Sequence, residues 1–433
     1  MRVRSPIAVL VSILLASFGA LPSAHAVPGD LIWEHRDDVA GIPLAIFTAP
    51  DGGTVYMVDE GFNVHAFDAR TGDLRWRGSW GPRHAVAHAS AISPDGSALF
   101  LVGDRNVFRN PGYATVAFDT STGERVWVGF LESGSDNWAT SVAVSPGGDV
   151  VFVTGASGEV VAYQASTGKR MWVTEPARPL YGEDLATSPD GTRLYEAGEG
   201  SGRRADAMTI AYSTRTGRAL WRRRFSQGDN WDQYVRHVAA TASGVLVSGT
   251  TFPVKRADSS RFFTLAYDAA SGRSIWTRLY NGSPSSDYPQ DLVIDPGTDS
   301  VYVTGTSDVS GWDIHTVAYD VTTGDTRWAA RYEGEGLFDE PNDITVDPTN
   351  GIVYVLATVY GDGITELDDF ALIAYDSTTG MRQWDAKYGG PGELREQADA
   401  LALSPNRQVL YVTGSSADGE GSYDSVVLAY ATT

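Results

Sequence analysis

An all-β fold of eight four-stranded repeats, an eight-bladed β-propeller, is what this sequence predicts. Three observations carry that prediction. The phrase Ala-aromatic-Asp-x-x-Thr-Gly-x-x-x-Trp recurs along the chain. A second phrase, an apolar alternation, a Pro/Asp/Gly turn and another apolar strand, precedes each copy. Short strands and Gly/Pro-rich turns recur with no sustained helical period.

The chain opens on a different kind of segment. Arg2 and Arg4 precede an apolar run from Ile7 to Phe18, too short for a membrane span. Ala24-His25-Ala26 has the form of a cleavage site. Residues 1–26 are therefore predicted to be a removed secretory signal, and 27–433 a single propeller domain. No later segment is long and apolar enough to span a bilayer. A secreted, extracellular or periplasmic, monomeric protein is expected.

The 433 residues carry 54 acidic and 33 basic side chains, a net charge of −21, and losing Arg2 and Arg4 makes the exported form more negative still. That acidity argues against nucleic acid and anionic membranes as partners, since both need a basic face. The absence of cysteine excludes a disulfide framework, a thiolate metal site and a cysteine nucleophile.

The repeat phrase ends on Trp76, Trp127, Trp172, Trp221, Trp276, Trp328 and Trp384. The chain finishes Leu428-Ala429-Tyr430, an eighth copy cut before its glycine, and the mature chain begins Gly29-Asp30-Leu31-Ile32-Trp33, the missing half. The mean period is about fifty residues, in the range of propeller blades. Each repeat reads as four strands. Strand A precedes the Pro turn, B follows it, C carries the Ala-Tyr and D carries the Trp. Pairing of the N-terminal strand with the C-terminal ones would close the ring and leave no open edge. The Thr-Gly pair is expected in the C–D hairpin, where glycine accepts positive φ. The eight tryptophans, from Trp33 to Trp384, are expected to dock on the adjoining blade, each contributing on the order of 3 kcal/mol by burial.

This phrase resembles the tryptophan-docking motif of the quinoprotein-like propellers, eight-bladed dehydrogenases that bind pyrroloquinoline quinone. The resemblance covers the whole mature chain at the level of the repeat. The resemblance implies the propeller fold and, for the dehydrogenase members, a pyrroloquinoline quinone–calcium cofactor. The same architecture is similar to that of non-catalytic relatives, among them scaffold subunits of outer-membrane assembly machines. The disulfide that the dehydrogenases carry beside the quinone has no counterpart here, because there is no cysteine. No set of calcium ligands matches position by position.

Function is sought where residues depart from the packing rule. Four tryptophans lie outside the docking set: Trp80, Trp138, Trp231 and Trp312. Asp136-Asn137-Trp138 and Asp229-Asn230-Trp231 are similar phrases on D–A loops, with Asp287 and Asp339 in comparable places. A second acidic set, Asp206, Asp313, Asp369 and Asp424, precedes strand C. A third, Asp184, Asp291, Asp343 and Asp399, lies near the start of strand A. D–A and B–C loops emerge on one face of a propeller, so these acids and aromatics are expected to crowd one face. Loop capping by Asp is the structural reading. An acidic, aromatic-lined face for Ca²⁺, a cation or a sugar is the functional one.

No Gly-x-Ser-x-Gly elbow, phosphate loop or His-Glu-x-x-His is present. The leading expectation is a non-catalytic binding or scaffold propeller whose loop face holds a protein, small-molecule or carbohydrate ligand. A quinone-dependent oxidoreductase of alcohols or sugars is the second reading. A cofactor-free lyase or hydrolase, with one residue per blade, is the third.

Overall fold

The computed structural model describes residues 27–432 apart from 39–40, 83, 106–111, 133–137, 175–179, 201–203, 256–258, 284, 310, 335–337, 362–367, 391–394 and 418–421. The predicted signal, residues 1–26, lies outside the described residues. Every regular element among the described residues is a strand. Six four-stranded antiparallel sheets follow one another along the chain, together with one eight-stranded sheet. The latter consists of two four-strand units, Asp287–Tyr332 and Phe338–Tyr388, joined by a single parallel bridge from Trp312 to Phe338.

The chain ends share a sheet. Strand Leu31–Asp37 runs antiparallel to Tyr423–Ala431, beside Val409–Ala417 and Glu396–Leu403. The N-terminal segment thus supplies the outer strand of the last sheet.

Buried apolar clusters lie between successive units. One joins Phe100 and Val102 to Val151 and Val153, and another joins Tyr302 and Ile314 to Val353 and Val355. The sequence continues around to the start: Ile46, Val55, Met57 and Phe67 of the first unit pack with Ala400, Tyr411, Val427 and Ala429 of the last. Face-to-face sheet packing of this kind buries both faces of each sheet, which is why the middle strands read as continuous apolar runs such as Leu99–Val102.

A relay of indoles fixes the spacing of the sheets. Trp33 lies against Gly72, Trp76 against Gly123, Trp127 against Gly168 and Trp172 against Gly217. Trp221 meets Gly272, Trp276 meets Gly324, and Trp328 meets Gly380. Trp384 meets Gly29, so the relay passes from the seventh repeat into the N-terminal segment. Each of these glycines has positive φ, and at Gly123 (φ 74°) an added Cβ would sit 2.4 Å from the Trp76 ring. In six of the eight the indole N–H also donates to a carbonyl of the same neighbouring hairpin, as in Trp127 to Ala165 at 2.6 Å and Trp328 to Ser377 at 2.8 Å. Strand-B tyrosines reinforce it: Tyr195 donates to the Ala269 carbonyl that also accepts from Trp221.

Two outcomes are expected from this arrangement. Deleting Val27–Arg36 removes an outer strand together with Gly29 and Trp33, so the truncated protein should lose the cooperative thermal transition of the full domain. A cooperative melt at an unchanged temperature would contradict it. Gly123→Ala should cost about 1–3 kcal/mol, from strain at positive φ and the clash with Trp76, read as a lowered denaturant midpoint at constant slope.

Candidate functional site

The innermost strand of each unit carries a β-bulge at the same place. A bulge leaves one residue unpaired and re-aims its side chain. The unpaired residues are Leu44, His88, Thr140, Glu183, Arg236, Gln290, Asn342 and Asp399. Packing positions repeat one residue type around the molecule, whereas this position holds a different residue in every unit.

The residue after the bulge has another role. Asp184 accepts the N–H of Leu185 (2.8 Å) and that of Val238 in the next unit (2.9 Å). Asp291 does the same with Leu292 and Ile344, and Asp343 with Ile344 and Leu401. These carboxylates form a belt of hydrogen bonds between inner strands. Three of the four acids expected on the loop rim are therefore set within strand A, where backbone donors occupy their oxygens. Asp399, placed with them by sequence, is one position out of register and sits in its bulge. Its Oδ2 has no hydrogen-bond partner among the described residues, and burial, then Glu60, pushes its carboxyl up to about 8.

His237 follows the bulge in its own unit, between Asp291 (3.6 Å) and Asp184 (3.7 Å), and its Nε2–H donates to the Gln290 carbonyl at 2.6 Å. Burial alone would lower its pKa. The two carboxylates outweigh that and raise it to about 9.

The second acidic set is engaged across its own sheets. Asp206 pairs with Arg224 at 2.6 Å and Asp313 with Arg331 at 2.6 Å, while Asp424 lies 3.8 Å from Arg36. Asp369 lies against Gly389. In the first set, Asp287 and Asp339 are 0% and 1% exposed, so neither presents a carboxylate to solvent. Ser307 donates to Asp287, and the Gly334 N–H donates to Asp339 at 2.7 Å. Burial pushes both carboxyls up to about 6. Asp229 is exposed, and its carbonyl accepts from Arg204. Asp136 and Asn137 lie outside the described residues. Most of the described carboxylates of these sets are thus hydrogen-bonded or ion-paired within the fold.

The four extra tryptophans also separate. Trp80 packs edge-on to Phe62 at 5.0 Å and joins an inter-unit cluster. Trp138 meets Tyr181 at 6.2 Å, and Arg261 lies over Trp231 at 5.8 Å. Trp312 belongs to a ribbon of rings in the order Tyr234, Phe252, Tyr288, Trp312, Phe338, Tyr360, with successive centroids 5.0–5.9 Å apart. The ribbon crosses three units at the starts of strands A and C and the end of B. Tyr234 and Phe338 are 45% and 38% exposed.

Two adjoining cavities open beside it. One of about 420 Å³ is lined by inner-strand residues including Thr140, Glu183, Asp184, Arg236, His237 and Gln290. The other, about 850 Å³, lies at the starts of the inner strands and the ends of their strand-B neighbours, among Tyr181, Tyr234, Phe252, Tyr288, Glu183 and Glu199, and shares Glu183 and Arg236 with the first. Sequence reasoning missed this second cavity. Its signal was available as Tyr181-Gly-Glu-Asp184, Tyr234-Val-Arg-His237 and Tyr288-Pro-Gln-Asp291, a tyrosine three residues before each inner-strand acid or histidine.

A pyrroloquinoline quinone–calcium pair would need converging oxygen ligands and a flat aromatic floor. Among the described residues no three His, Asp or Glu side chains are grouped to hold a metal ion. The smaller cavity has no tryptophan in its lining, and of the two carboxylates that line it, Glu183 and Asp184, the latter is hydrogen-bonded to backbone. These residues do not fit the pair.

Fold and repeat together define a PQQ-like β-propeller-type repeat protein. The sequence matches the family described as outer membrane protein assembly factor BamB over residues 23–277 and 261–421, and the chain belongs to that family. The BamB of Shewanella oneidensis is 22% identical over 238 residues, 53% of this chain and 55% of that protein, so the chain matches about half the length of this relative. Among solved structures, BamB from Moraxella catarrhalis superposes with a TM-score of 0.54 at 17% identity, covering 93% of this chain and 99% of that one. Quinohemoprotein alcohol dehydrogenase from Comamonas testosteroni superposes with a TM-score of 0.60 at 14% identity, covering 93% and 76%. These likenesses concern the fold.

Asp399 gives the inner strands a pH dependence. The folded protein keeps a proton that the unfolded chain releases near pH 4, so stability should fall as pH rises from about 4 to about 8 and level off above. Asp399→Asn removes that contribution. The fall in melting temperature between pH 5 and pH 8 should be smaller in the variant than in the parent, and an equal fall would rule the assignment out.

Proposed function

We propose that this chain is an exported, non-catalytic, eight-bladed propeller, closed through its N-terminal strand, that holds a protein partner on the face bearing the aromatic ribbon. The ribbon carries the reading. Six contiguous rings from three units, two of them well exposed, form the kind of patch that association buries, and aromatic side chains supply most of the energy at such contacts. Closure is supported by the sheet shared between the chain ends, by the cluster linking first and last units, and by Trp384 over Gly29.

The family name supports an envelope role, with a component of outer-membrane protein assembly as the proposed partner. The leader-like N-terminus supports export. A quinone-dependent oxidoreductase, the second reading of the sequence, lacks a matching donor set in the cavities.

A photo-crosslinking residue at Phe338 tests the face. In the native host it should give one discrete adduct, while the same residue at Thr122, on a C–D hairpin, gives none. No adduct at Phe338, or equal adducts at both places, would reject the reading.

A further inference from the structure

The larger cavity has a composition that selects its occupant. Its walls are the rings of Tyr181, Tyr234, Phe252 and Tyr288. Its charged groups include three carboxylates, Glu183, Glu199 and Asp232, against one cation, Arg236. Asp232 already has Arg204 at 3.8 Å, and Glu199 spends Oε1 on the Val235 N–H at 2.7 Å. Glu183 and Glu199 stand close enough to repel: burial first, and then Glu183, raise the Glu199 carboxyl to about 7 despite Arg236. A second cation entering here would relieve that repulsion and find ring faces beside it.

We propose that this cleft takes an arginine or lysine side chain of the partner polypeptide, while the partner's neighbouring apolar residues lie along the aromatic ribbon. The inference rests on the protein-binding reading above and names the chemistry that reading leaves open. Continuity favours a polypeptide over a free small cation. Tyr234, Phe252 and Tyr288 wall the cleft and are also the first three rings of the ribbon, which runs on through Trp312 and Phe338 to Tyr360. A lone cation would fill the cleft and leave the rest of that surface uncovered. The net charge of −21 draws basic segments toward the protein.

The groups facing Glu199 are Tyr181 and Glu183 on the strand Leu180–Thr187, with Asp232, Tyr234 and Arg236 on Trp231–Ala240. A bound cation favours ionised Glu199. Binding should therefore strengthen as pH rises from about 6 to about 8.

The test uses the full exported chain and two labelled peptides, acetyl-Arg-Gly-Leu-Gly-Phe-Gly-amide and its isostere with citrulline for arginine. Fluorescence anisotropy should show the citrulline peptide binding about tenfold more weakly. Glu199→Gln, with Asp232→Asn as a second variant should the first fail to fold, should erase most of that difference and the gain between pH 6 and 8. Phe338→Ser should weaken both peptides alike. Equal affinity for the two peptides, or an undiminished arginine preference in folded Glu199→Gln, overturns the proposal. So does arginine amide alone binding as tightly as the peptide, which would make the occupant a free cation. If neither peptide binds while Phe338 still crosslinks, the basic anchor is wrong and the protein-binding face stands. If crosslinking also fails, both fall.

Discussion

An indole laid on a glycine of the next repeat is the contact on which the rest of this structure depends. It sets three things at once. The missing Cβ at Gly72, Gly123, Gly168 and their equivalents lets the ring approach the hairpin backbone, as the 2.4–2.6 Å clash of a hypothetical Cβ shows at these three. Positive φ at the same glycine forms the C–D turn, so one residue serves the hairpin and the docking. At Trp33, Trp127, Trp172, Trp221, Trp276 and Trp328 the indole N–H meets a carbonyl there, so burying these rings leaves their donors satisfied. A contact with nearest neighbours, repeated from unit to unit, is the kind that couples the members of a repeat array.

Function is read on top of that regularity. The inner strands use two adjacent positions differently. One is bound into a belt in which Asp184, Asp291 and Asp343 accept backbone donors from the following unit. The other, the bulge, frees a side chain from pairing, and its residue changes from unit to unit. Glu183 and Arg236 occupy that freed position and line both cavities. Beyond them the ribbon from Tyr234 to Tyr360 turns a polar interior edge into an aromatic surface. The single backbone bridge between Trp312 and Phe338 lies at the same point, so the ribbon crosses from one unit to the next where two strands touch.

Acidic residues show how partners arrive from distant strands. Asp206, Asp287, Asp313 and Asp339 read as members of a charged rim. Asp206 and Asp313 close against Arg224 and Arg331 on strand D, and Asp287 and Asp339 are buried beneath the loops. An unpaired carboxylate is expensive to bury, so a fold that recruits aspartate to loops must supply a partner. The partner comes from a strand some twenty residues away or from a loop backbone, and no local phrase announces it.

The repeat, its period, the hairpin glycines and the split of the last copy between the chain ends were legible in the linear sequence. Each depends on spacing within about one repeat, and spacing survives without knowledge of the neighbours. Which side chains meet was decided only by tertiary structure. A one-residue bulge separates Asp399 from Asp184, Asp291 and Asp343, although all four stand at the start of similar phrases. The six rings of the ribbon come from three different places in the repeat, and the Glu183–Glu199 pair from two strands. Register and bulges fix such meetings, and a one-residue shift in a strand reverses the face a side chain occupies. The phrase Ala-Tyr-Asp…Thr-Gly…Trp therefore specifies the scaffold, while the place where a partner would sit emerges only after that scaffold has folded.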